Sequence, residues 1–359
     1  MPSRVEFALV IPVHNEERYL PTLSESLRRQ SCTDVPIVFV NNGSTDGSDA
    51  LMRESDAARA GRWLCIDEPR VGKFSAMAAG ADFCVQQLGA RHVGFLDADS
   101  YPGEVDWLRT HARILADAHR DLGYIHSPYR YVGLEHLPTF AAAYAACAAV
   151  MRSIGETVGW FANSAGAVYA STVVMPFFRS ASTATEIGLR CSLFALSEGL
   201  RASMNPGQVM TSARRIVASA DNLHAWCFYA RRFYVNKDIN TTAKQTLNPP
   251  APVADLPVEM VGRFFARQAI KFAARNLIPL ALFDRSDHFT DRLSAVFDVV
   301  PDELIGGALR SFRFRTDLIF TDQFETLLAA IEQTPASAAL AQRIDALMWA
   351  EYGPATGRP

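Results

Sequence analysis

Two acidic side chains that could hold a divalent metal ion follow a short apolar stretch in the first third of the chain. Residues 93–96 have the length and composition of a buried strand, and Asp97 and Asp99 come directly after it. Side chains two positions apart in an extended chain project to the same side, where two carboxylates repel each other unless a cation lies between them. Mg²⁺ and Mn²⁺ are commonly bound through one or two carboxylates, with water and phosphate as the other ligands. The pair therefore indicates a site for Mg²⁺ or Mn²⁺, and an aspartate-rich turn that caps the next helix is the alternative.

The elements that would position this pair alternate between strand-like and helix-like patterns. Strands are predicted at residues 7–11, 37–40, 63–66 and 93–96, and helices at 20–30, 48–60 and 75–88. This alternation predicts an α/β fold with a mostly parallel sheet flanked by helices. Polar clusters follow the strands, and ligands of open α/β sheets bind at the carboxyl ends of the strands. We therefore expect the loops after all four strands to converge on one crevice.

Two other nucleotide-binding folds do not fit this pattern. Gly72-Lys73 resembles the end of a P-loop, but that motif requires a glycine where this chain has Asp67 and a serine or threonine where it has Phe74. The loop after the first strand also lacks the G-x-G-x-x-G sequence of dinucleotide-binding Rossmann domains.

Four motifs in this region together resemble the inverting glycosyltransferases of family 2, which have the GT-A fold. They are IPVHNE at 11–16, VNNGSTDG at 40–47, Gly72-Lys73, and Asp97-Ala98-Asp99. The segment TSARR at 211–215 resembles a further stretch of some members, so the resemblance covers residues 5–220. It implies a GT-A-type sheet and an enzyme that transfers a sugar from a nucleotide-sugar to an acceptor hydroxyl, with inversion and with a divalent metal ion, Mn²⁺ or Mg²⁺.

The resemblance also assigns roles in donor binding. Asp97 and Asp99 would bind the metal, and Ala98 would make a further donor contact. Pro12, His14 and Glu16 would contact the base and ribose, and Asn41 or Asn42 would hydrogen-bond to the base. Lys73, Arg214 and Arg215 would contact the diphosphate. The two arginines could instead be solvated. His224 is a candidate third metal ligand, although a lone histidine is more often a core or surface residue.

The catalytic base implied by the resemblance is Glu186. It is the acid that opens a predicted helix ending near Gly199, with Arg201 beyond it, and Thr185 is placed to cap that helix. The dipole at a helix N-terminus favours the ionised carboxylate that a general base requires. A carboxylate that only stabilises the start of its helix is the alternative.

Three departures from the family pattern bear on function. Asn41-Asn42 stand where two aspartates are commoner, and Ile187 stands where a second acid often follows the base. The Q-x-x-R-W motif of polymer-making relatives is absent, which indicates transfer of a single sugar. The alternatives are a degenerate nucleotide-sugar-binding protein without activity and a sugar-1-phosphate nucleotidyltransferase. The expected donor is UDP- or GDP-linked, and the expected acceptor is a saccharide, either lipid-linked or small.

Composition narrows the class and the compartment. The chain has 359 residues with 49% hydrophobic and 20% charged residues, as in an ordinary globular protein. A net charge of −3 gives no reason to expect nucleic acid as a partner. Six cysteines without a C-x-x-C pair, no secretory signal and no apolar stretch long enough to span a bilayer predict a cytoplasmic protein.

The chain is expected to divide at a proline-rich linker near residues 249–252. Residues 1–248 would form the transferase domain, and residues 253–359 a mainly α-helical C-terminal region. Within that region, residues 259–277 carry basic side chains at four-residue intervals among phenylalanines and other apolar residues. Such a helix could contact the inner membrane face peripherally, which would suit a lipid-linked acceptor, or could pack on the transferase domain with a solvated basic face.

Overall fold

The computed structural model describes residues 5–55, 58, 60–118, 121–133, 165–180 and 187–212, together with the single positions 321, 323 and 326. The chain divides into two compact units, residues 1–130 with 160–211, and residues 131–159 with 212–359. Almost all of the described residues belong to the first unit, and the elements below form its core. The predicted boundary at residues 249–252 and the helical C-terminal region, including residues 259–277, fall outside the described residues.

A central sheet of seven strands organises the first unit. The strands are β1 (Phe7–Val13), β2 (Ile37–Asn41), β3 (Trp63–Asp67), β4 (His92–Phe95), β6 (Leu122–His126), β8 (Ala167–Ala170) and β9 (Arg201–Met204). They lie in the order β3-β2-β1-β4-β8-β6-β9. The first four pair in parallel, β8 pairs antiparallel with both β4 and β6, and β9 is parallel to β6. The predicted α/β fold with a mostly parallel sheet flanked by helices is therefore confirmed, and among the described strands of this sheet β8 alone is reversed.

A second sheet of three short strands follows the acidic pair directly. Its strands are β5 (Ser100–Pro102), β7 (Tyr129–Val132) and β10 (Val209–Ser212), in the order β5-β10-β7. β5 begins at the residue after Asp99, and β10 pairs antiparallel with it so that Thr211 faces Ser100. The hydroxyl groups of these two residues are hydrogen-bonded to each other.

Helices cover both faces of the central sheet. They are α1 (Leu20–Arg28), α2 (Ser48–Arg53), α3 (Lys73–Gln86), α4 (Trp107–Asp117), α5 (Ser171–Ser180) and α6 (Ile187–Ser197). Leu9 and Ile11 of β1 share a core with the buried leucines of α1 and with Trp107, whereas Val10 faces α3 on the opposite side. There a Cβ added at Gly80 would come within 2.3 Å of the Val10 side chain. β1 is therefore buried on both faces, which explains its unbroken apolar sequence.

Two of the helix boundaries that differ from the sequence prediction have a visible local cause. α2 ends at Arg53, although the pattern predicts a helix to residue 60. The Ser55 hydroxyl donates to the Met52 carbonyl oxygen (3.1 Å) and accepts from the Ala58 backbone N–H (3.1 Å), which replaces helical hydrogen bonds at that point. α3 begins at Lys73, before the predicted start, because Gly72 adopts a φ of 133° that ends the preceding loop. None of the helices in the described ranges is long and apolar enough to cross a membrane.

A buried polar cluster links α4 to the chain after β9. The side-chain amide nitrogen of Asn205 donates to the Trp107 carbonyl oxygen (3.0 Å) and lies 2.6 Å from Nδ1 of His111. Desolvation lowers the pKa of His111 to about 4, and that of the neighbouring His126 to about 3. Both imidazoles are therefore neutral in the folded protein at pH 7.

This cluster predicts that stability falls as the pH drops below neutrality. Unfolded histidine takes up a proton near pH 6.5, whereas His111 in the folded chain does so only near pH 4, so the unfolded state gains protons first. Between pH 7 and pH 5, His111 alone should remove about 2 kcal/mol from the free energy of unfolding. Urea titrations of wild type and His111→Gln at both pH values measure this, and an equal loss in both proteins would contradict it.

Candidate active site

The loops after the first four strands meet at one edge of the central sheet. Val13 at the end of β1 is level with Asn41 at the end of β2, and Asn41 is level with Asp67 at the end of β3. Phe95 at the end of β4 pairs with Val10, so that Asp97 follows on the same edge. The predicted convergence of the four loops is therefore present in the described residues.

The acidic pair lies where β4 turns into β5. Asp97 is half-buried, Asp99 is 8% exposed, and Ala98 between them is buried. The Ser100 backbone N–H donates to the Asp97 carbonyl oxygen (3.0 Å) and closes the turn. Nζ of Lys73 lies 2.6 Å from Oδ1 of Asp97. The Lys73 ammonium and the Asp97 carboxylate therefore form an ion pair at this edge.

The donor atoms at this turn suit a hard divalent cation. No group of three or more His, Cys, Asp or Glu side chains that could hold a metal occurs among the described residues. Two carboxylates alone do not form a closed protein cage, but Mg²⁺ and Mn²⁺ need only one or two when a phosphate and water supply the rest. Asp97 and Asp99 therefore fit such an ion bound together with a phosphate group.

Asn42 holds the loop after β3 in place. Its side-chain amide nitrogen donates to the carbonyl oxygens of Glu68 and Arg70, at 2.8 Å each, and its side-chain oxygen accepts from the Gly72 backbone N–H at 2.7 Å. The residue is 3% exposed. Both N–H groups of the Asn42 amide and its oxygen are hydrogen-bonded to this loop, so the Asn42 side chain sets the position of residues 68–72.

Asn41 lies between two carboxylates. Its amide nitrogen donates to Oδ1 of Asp49 and to Oδ1 of Asp67, at 3.1 Å each. Arg53 binds the same two acids, at 2.8 Å and 2.7 Å. An aspartate at position 41 would place a third carboxylate in this cluster, where like charges repel. The departure from the commoner Asp-Asp sequence thus has a local electrostatic reason.

The loop after β1 carries Pro12, His14 and Glu16 along the same edge. Pro12 is half-buried at the end of β1, and His14 is exposed. Nδ1 of His14 lies 2.8 Å from the Asn42 carbonyl oxygen, which ties this loop to the loop after β2. The Glu16 backbone N–H donates to the Ser48 hydroxyl (2.8 Å), and the Glu16 carbonyl oxygen accepts from the first turn of α1.

A set of hydrogen bonds that the sequence analysis does not identify locks the loops after β1 and β2 together. The Gly47 backbone N–H donates to the Glu17 carboxylate (2.9 Å), and the Glu17 backbone N–H donates to the Asp46 carboxylate (3.2 Å). A Cβ at Gly47 would come within 2.7 Å of the Glu17 carboxylate. The Thr45 backbone N–H donates to the Asn15 side chain (2.8 Å), and Asn15 has a left-handed φ of 56°. The S-T-D-G segment at residues 44–47 is therefore the sequence feature that marks these hydrogen bonds between the two loops.

A buried acid at the same edge is also missed by the sequence analysis. Glu68 is 6% exposed and accepts two hydrogen bonds from the Arg70 guanidinium at 3.0 Å each. This guanidinium holds the pKa of the Glu68 carboxyl below its usual value. In the sequence, Glu68 could be recognised only as an acid that directly follows β3 and therefore lies at the carboxyl edge of the sheet.

Several predicted site residues lie outside the described residues, namely Glu186, Arg214, Arg215 and His224. The element that follows Glu186 is described. α6 begins at Ile187, packs against β6 and β9, and ends close to the start of β9. Because β6 and β9 run in the same direction as β4, the first residue of α6 lies toward the carboxyl edge of the sheet.

The described residues thus form an α/β domain whose polar loops share the carboxyl edge of the central sheet. Residues 8–136 match the model of "Glycosyl transferase family 2". Over these residues the chain is therefore similar to the family 2 glycosyltransferases, in agreement with the resemblance in its motifs.

Curated relatives match only part of their length. The chain is 30% identical over 94 residues to the uncharacterized glycosyltransferase EpsJ of Bacillus subtilis, which covers 26% of each protein. It is 27% identical over 117 residues to the glycosyltransferase GlyA of Streptococcus pneumoniae, which covers 33% of this chain and 16% of that protein. The chain thus spans about a quarter or less of the length of these relatives.

Solved structures align over more of the chain. TarS of S. aureus in complex with UDP is 13% identical, with a TM-score of 0.44 over 99% of this chain and 92% of that one. The mannosyltransferase PcManGT of Pyrobaculum calidifontis, in complex with GDP-Man and Mn²⁺, is 14% identical, with a TM-score of 0.46 over 95% of this chain and 87% of that one.

Proposed function

We propose that this protein transfers a single sugar from a nucleotide-diphosphate sugar to an acceptor hydroxyl, with inversion, and that the transfer depends on Mn²⁺ or Mg²⁺. The observation that carries the proposal is the position of the acidic turn at residues 97–99. This turn lies at the same edge of the sheet as the loop that Asn42 holds, and Lys73 directly follows that loop. A family 2 glycosyltransferase domain over residues 8–136 supports the same reading of that edge.

Asp97 and Asp99 would hold the metal ion, which supplies positive charge that stabilises the departing diphosphate. Lys73, at the N-terminus of α3, is in reach of the same group because its ammonium already lies 2.6 Å from Asp97. Arg214 and Arg215 are further candidates for the diphosphate on sequence grounds alone. Together these residues bind the leaving group and orient it.

The base and ribose would lie between the loops after β1 and β2, along Pro12, His14 and Glu16. Asn42 contributes by fixing residues 68–72, since its side-chain amide is occupied within that loop. Asn41 is the more exposed of the two asparagines and is the candidate for a contact with the base. Both asparagines make hydrogen bonds that an aspartate could not donate, which argues against degeneration of the site.

Glu186 would accept the proton of the acceptor hydroxyl while that oxygen bonds to the anomeric carbon and the bond to the diphosphate breaks. Supporting this role, α6 starts at Ile187 on the side of the sheet where the acidic turn lies. The acceptor would be a saccharide, lipid-linked or small, and the donor would be UDP- or GDP-linked. A peripheral membrane contact through residues 259–277 remains a sequence-based proposal.

Asp99→Asn should weaken metal-dependent binding of a nucleoside diphosphate, because it removes one of two carboxylate ligands. Calorimetric titration of UDP and of GDP, with Mn²⁺ and with EDTA, measures the effect. The fold should persist, since the substitution keeps the shape of the side chain, and thermal unfolding checks this. Equal affinity with Mn²⁺ and with EDTA in both proteins would overturn the metal site.

Donor hydrolysis in the presence of Mn²⁺ separates the proposed enzyme from its alternatives. A transferase releases nucleoside diphosphate slowly from a nucleotide-sugar when water replaces the acceptor. A binding protein without activity releases nothing, and a nucleotidyltransferase releases pyrophosphate from a nucleoside triphosphate.

A further inference from the structure

We propose that Lys73 is the built-in counter-ion of Asp97 and that donor binding exchanges it. In this exchange the divalent cation takes the Asp97 carboxylate, and the Lys73 ammonium moves from Asp97 to the diphosphate of the donor. The inference rests on the proposed function and adds a coupling to it: metal and nucleoside diphosphate bind tightly only together.

The first observation is the contact itself. Nζ of Lys73 lies 2.6 Å from Oδ1 of Asp97, which is the length of a strong charge-assisted hydrogen bond. The carboxylate side chain is 19% exposed, and the lysine side chain is 37% exposed. The pair is therefore partly shielded from water on the acid's side and open on the lysine's side, so the lysine can leave without a cavity forming behind it.

Lys73 lies at the N-terminal end of α3, where the helix dipole disfavours a positive charge. Lys73 is the first residue of α3, and the positive end of a helix dipole repels a cation. The Gly72 backbone N–H is held by the side-chain oxygen of Asn42 at 2.7 Å, which fixes where the helix starts. Asp97 is the acid paired with Lys73 among the ion pairs of the described residues. An anion next to Lys73 therefore offsets the repulsion, and either Asp97 or a diphosphate can serve.

The charges at this site favour joint binding of the metal ion and the diphosphate. An ammonium on Asp97 reduces the combined charge of Asp97 and Asp99 from −2 to −1, and it occupies an oxygen that a metal ion would use. A divalent cation alone must displace the ammonium without offering it another partner. A nucleoside diphosphate brings phosphate ligands for the metal and an anion for Lys73, so the exchange keeps every charge paired.

The test measures binding of Mn²⁺ alone, by electron paramagnetic resonance of the free ion, and then with UDP or GDP present. Lys73→Met removes the charge and leaves an unbranched side chain that is one atom shorter. Its affinity for Mn²⁺ alone should rise by about tenfold, as expected when a like charge leaves a partly exposed site. The gain in Mn²⁺ affinity on adding nucleoside diphosphate should shrink by a similar factor.

Two matched variants separate this exchange from general effects of charge and folding. Arg91→Met removes a cation at the opposite, amino end of β4, where Arg91 pairs with Glu6 at 3.6 Å, and should leave Mn²⁺ binding unchanged. Lys73→Arg keeps the cation and should keep the weak binding of Mn²⁺ alone, and it also covers the case in which Lys73→Met does not fold.

The outcomes distinguish this inference from the proposed function. Unchanged affinity for Mn²⁺ alone in Lys73→Met, in a protein that still binds nucleoside diphosphate with Mn²⁺, overturns the exchange and retains the transferase. Tight binding of Mn²⁺ alone by Lys73→Arg overturns it as well. Nucleoside diphosphate binding that ignores EDTA in wild type overturns the metal site and the exchange together.

Discussion

Glu186→Gln should lower the rate of sugar transfer by about 10²–10⁴-fold, the usual worth of a general base. The amide keeps the size of the side chain but cannot take the proton from the acceptor hydroxyl. Donor and metal should bind as in wild type, because the proposed metal ligands lie after β4 and not on α6. Steady-state rates at saturating donor, combined with donor titration, separate these two effects.

A matched control lies at the other end of the same helix. Glu198 is exposed just after the last residue of α6, and Glu198→Gln makes the same chemical change there. It should leave the transfer rate unchanged. If Glu186→Gln transfers sugar within a few-fold of wild type, Glu186 only stabilises the start of its helix and the base is a different residue.

Asn42→Asp should destabilise the domain by about 3 kcal/mol, although it restores the commoner residue of the family. The change removes two hydrogen bonds donated to the carbonyl oxygens of Glu68 and Arg70 and places a buried carboxylate against those oxygens. The loop that carries Lys73 should lose its support. We therefore expect a lower urea midpoint and weaker binding of nucleoside diphosphate.

Asn15→Asp is the control for this change. Asn15 is exposed and uses its side-chain oxygen to accept from the Thr45 backbone N–H, a bond that an aspartate can also accept. Its stability should stay close to that of wild type. A variant Asn42→Asp that unfolds at the wild-type urea concentration would show that the loop does not depend on this amide.

The pattern of apolar runs and polar motifs is enough to predict which residues reach the carboxyl edge of the central sheet. β1, β2 and β4 are short apolar runs, because a parallel strand covered by helices is buried on both faces, and such runs are visible without a structure. The motifs after these runs had to lie at the carboxyl ends of the strands. The placement of His14, Asn42 and Asp97 along one edge followed from that rule.

The sequence could not determine how these side chains are used. The sequence predicts that Asn41 or Asn42 contacts the base, and the structure adds that the Asn42 amide is bonded to a loop 26 to 30 residues further along the chain. The sequence predicts that Lys73 contacts the diphosphate, and the structure adds its contact with Asp97. Glu17 has no sequence signal of its own, although its carboxylate accepts from the Gly47 backbone N–H and holds two loops together.

The difference has a physical reason. Burial and strand direction depend on the pattern of neighbouring residues, which a sequence displays directly. Hydrogen bonds and ion pairs depend on the register between strands, on distances that must be right to a few tenths of an ångström, and on bond angles. The reversed strand β8 between β4 and β6 illustrates this, because its partners lie more than forty residues away along the chain. The ion pair of Lys73 with Asp97, the acid proposed to bind the metal, is a contact of this kind and is visible only in the folded chain.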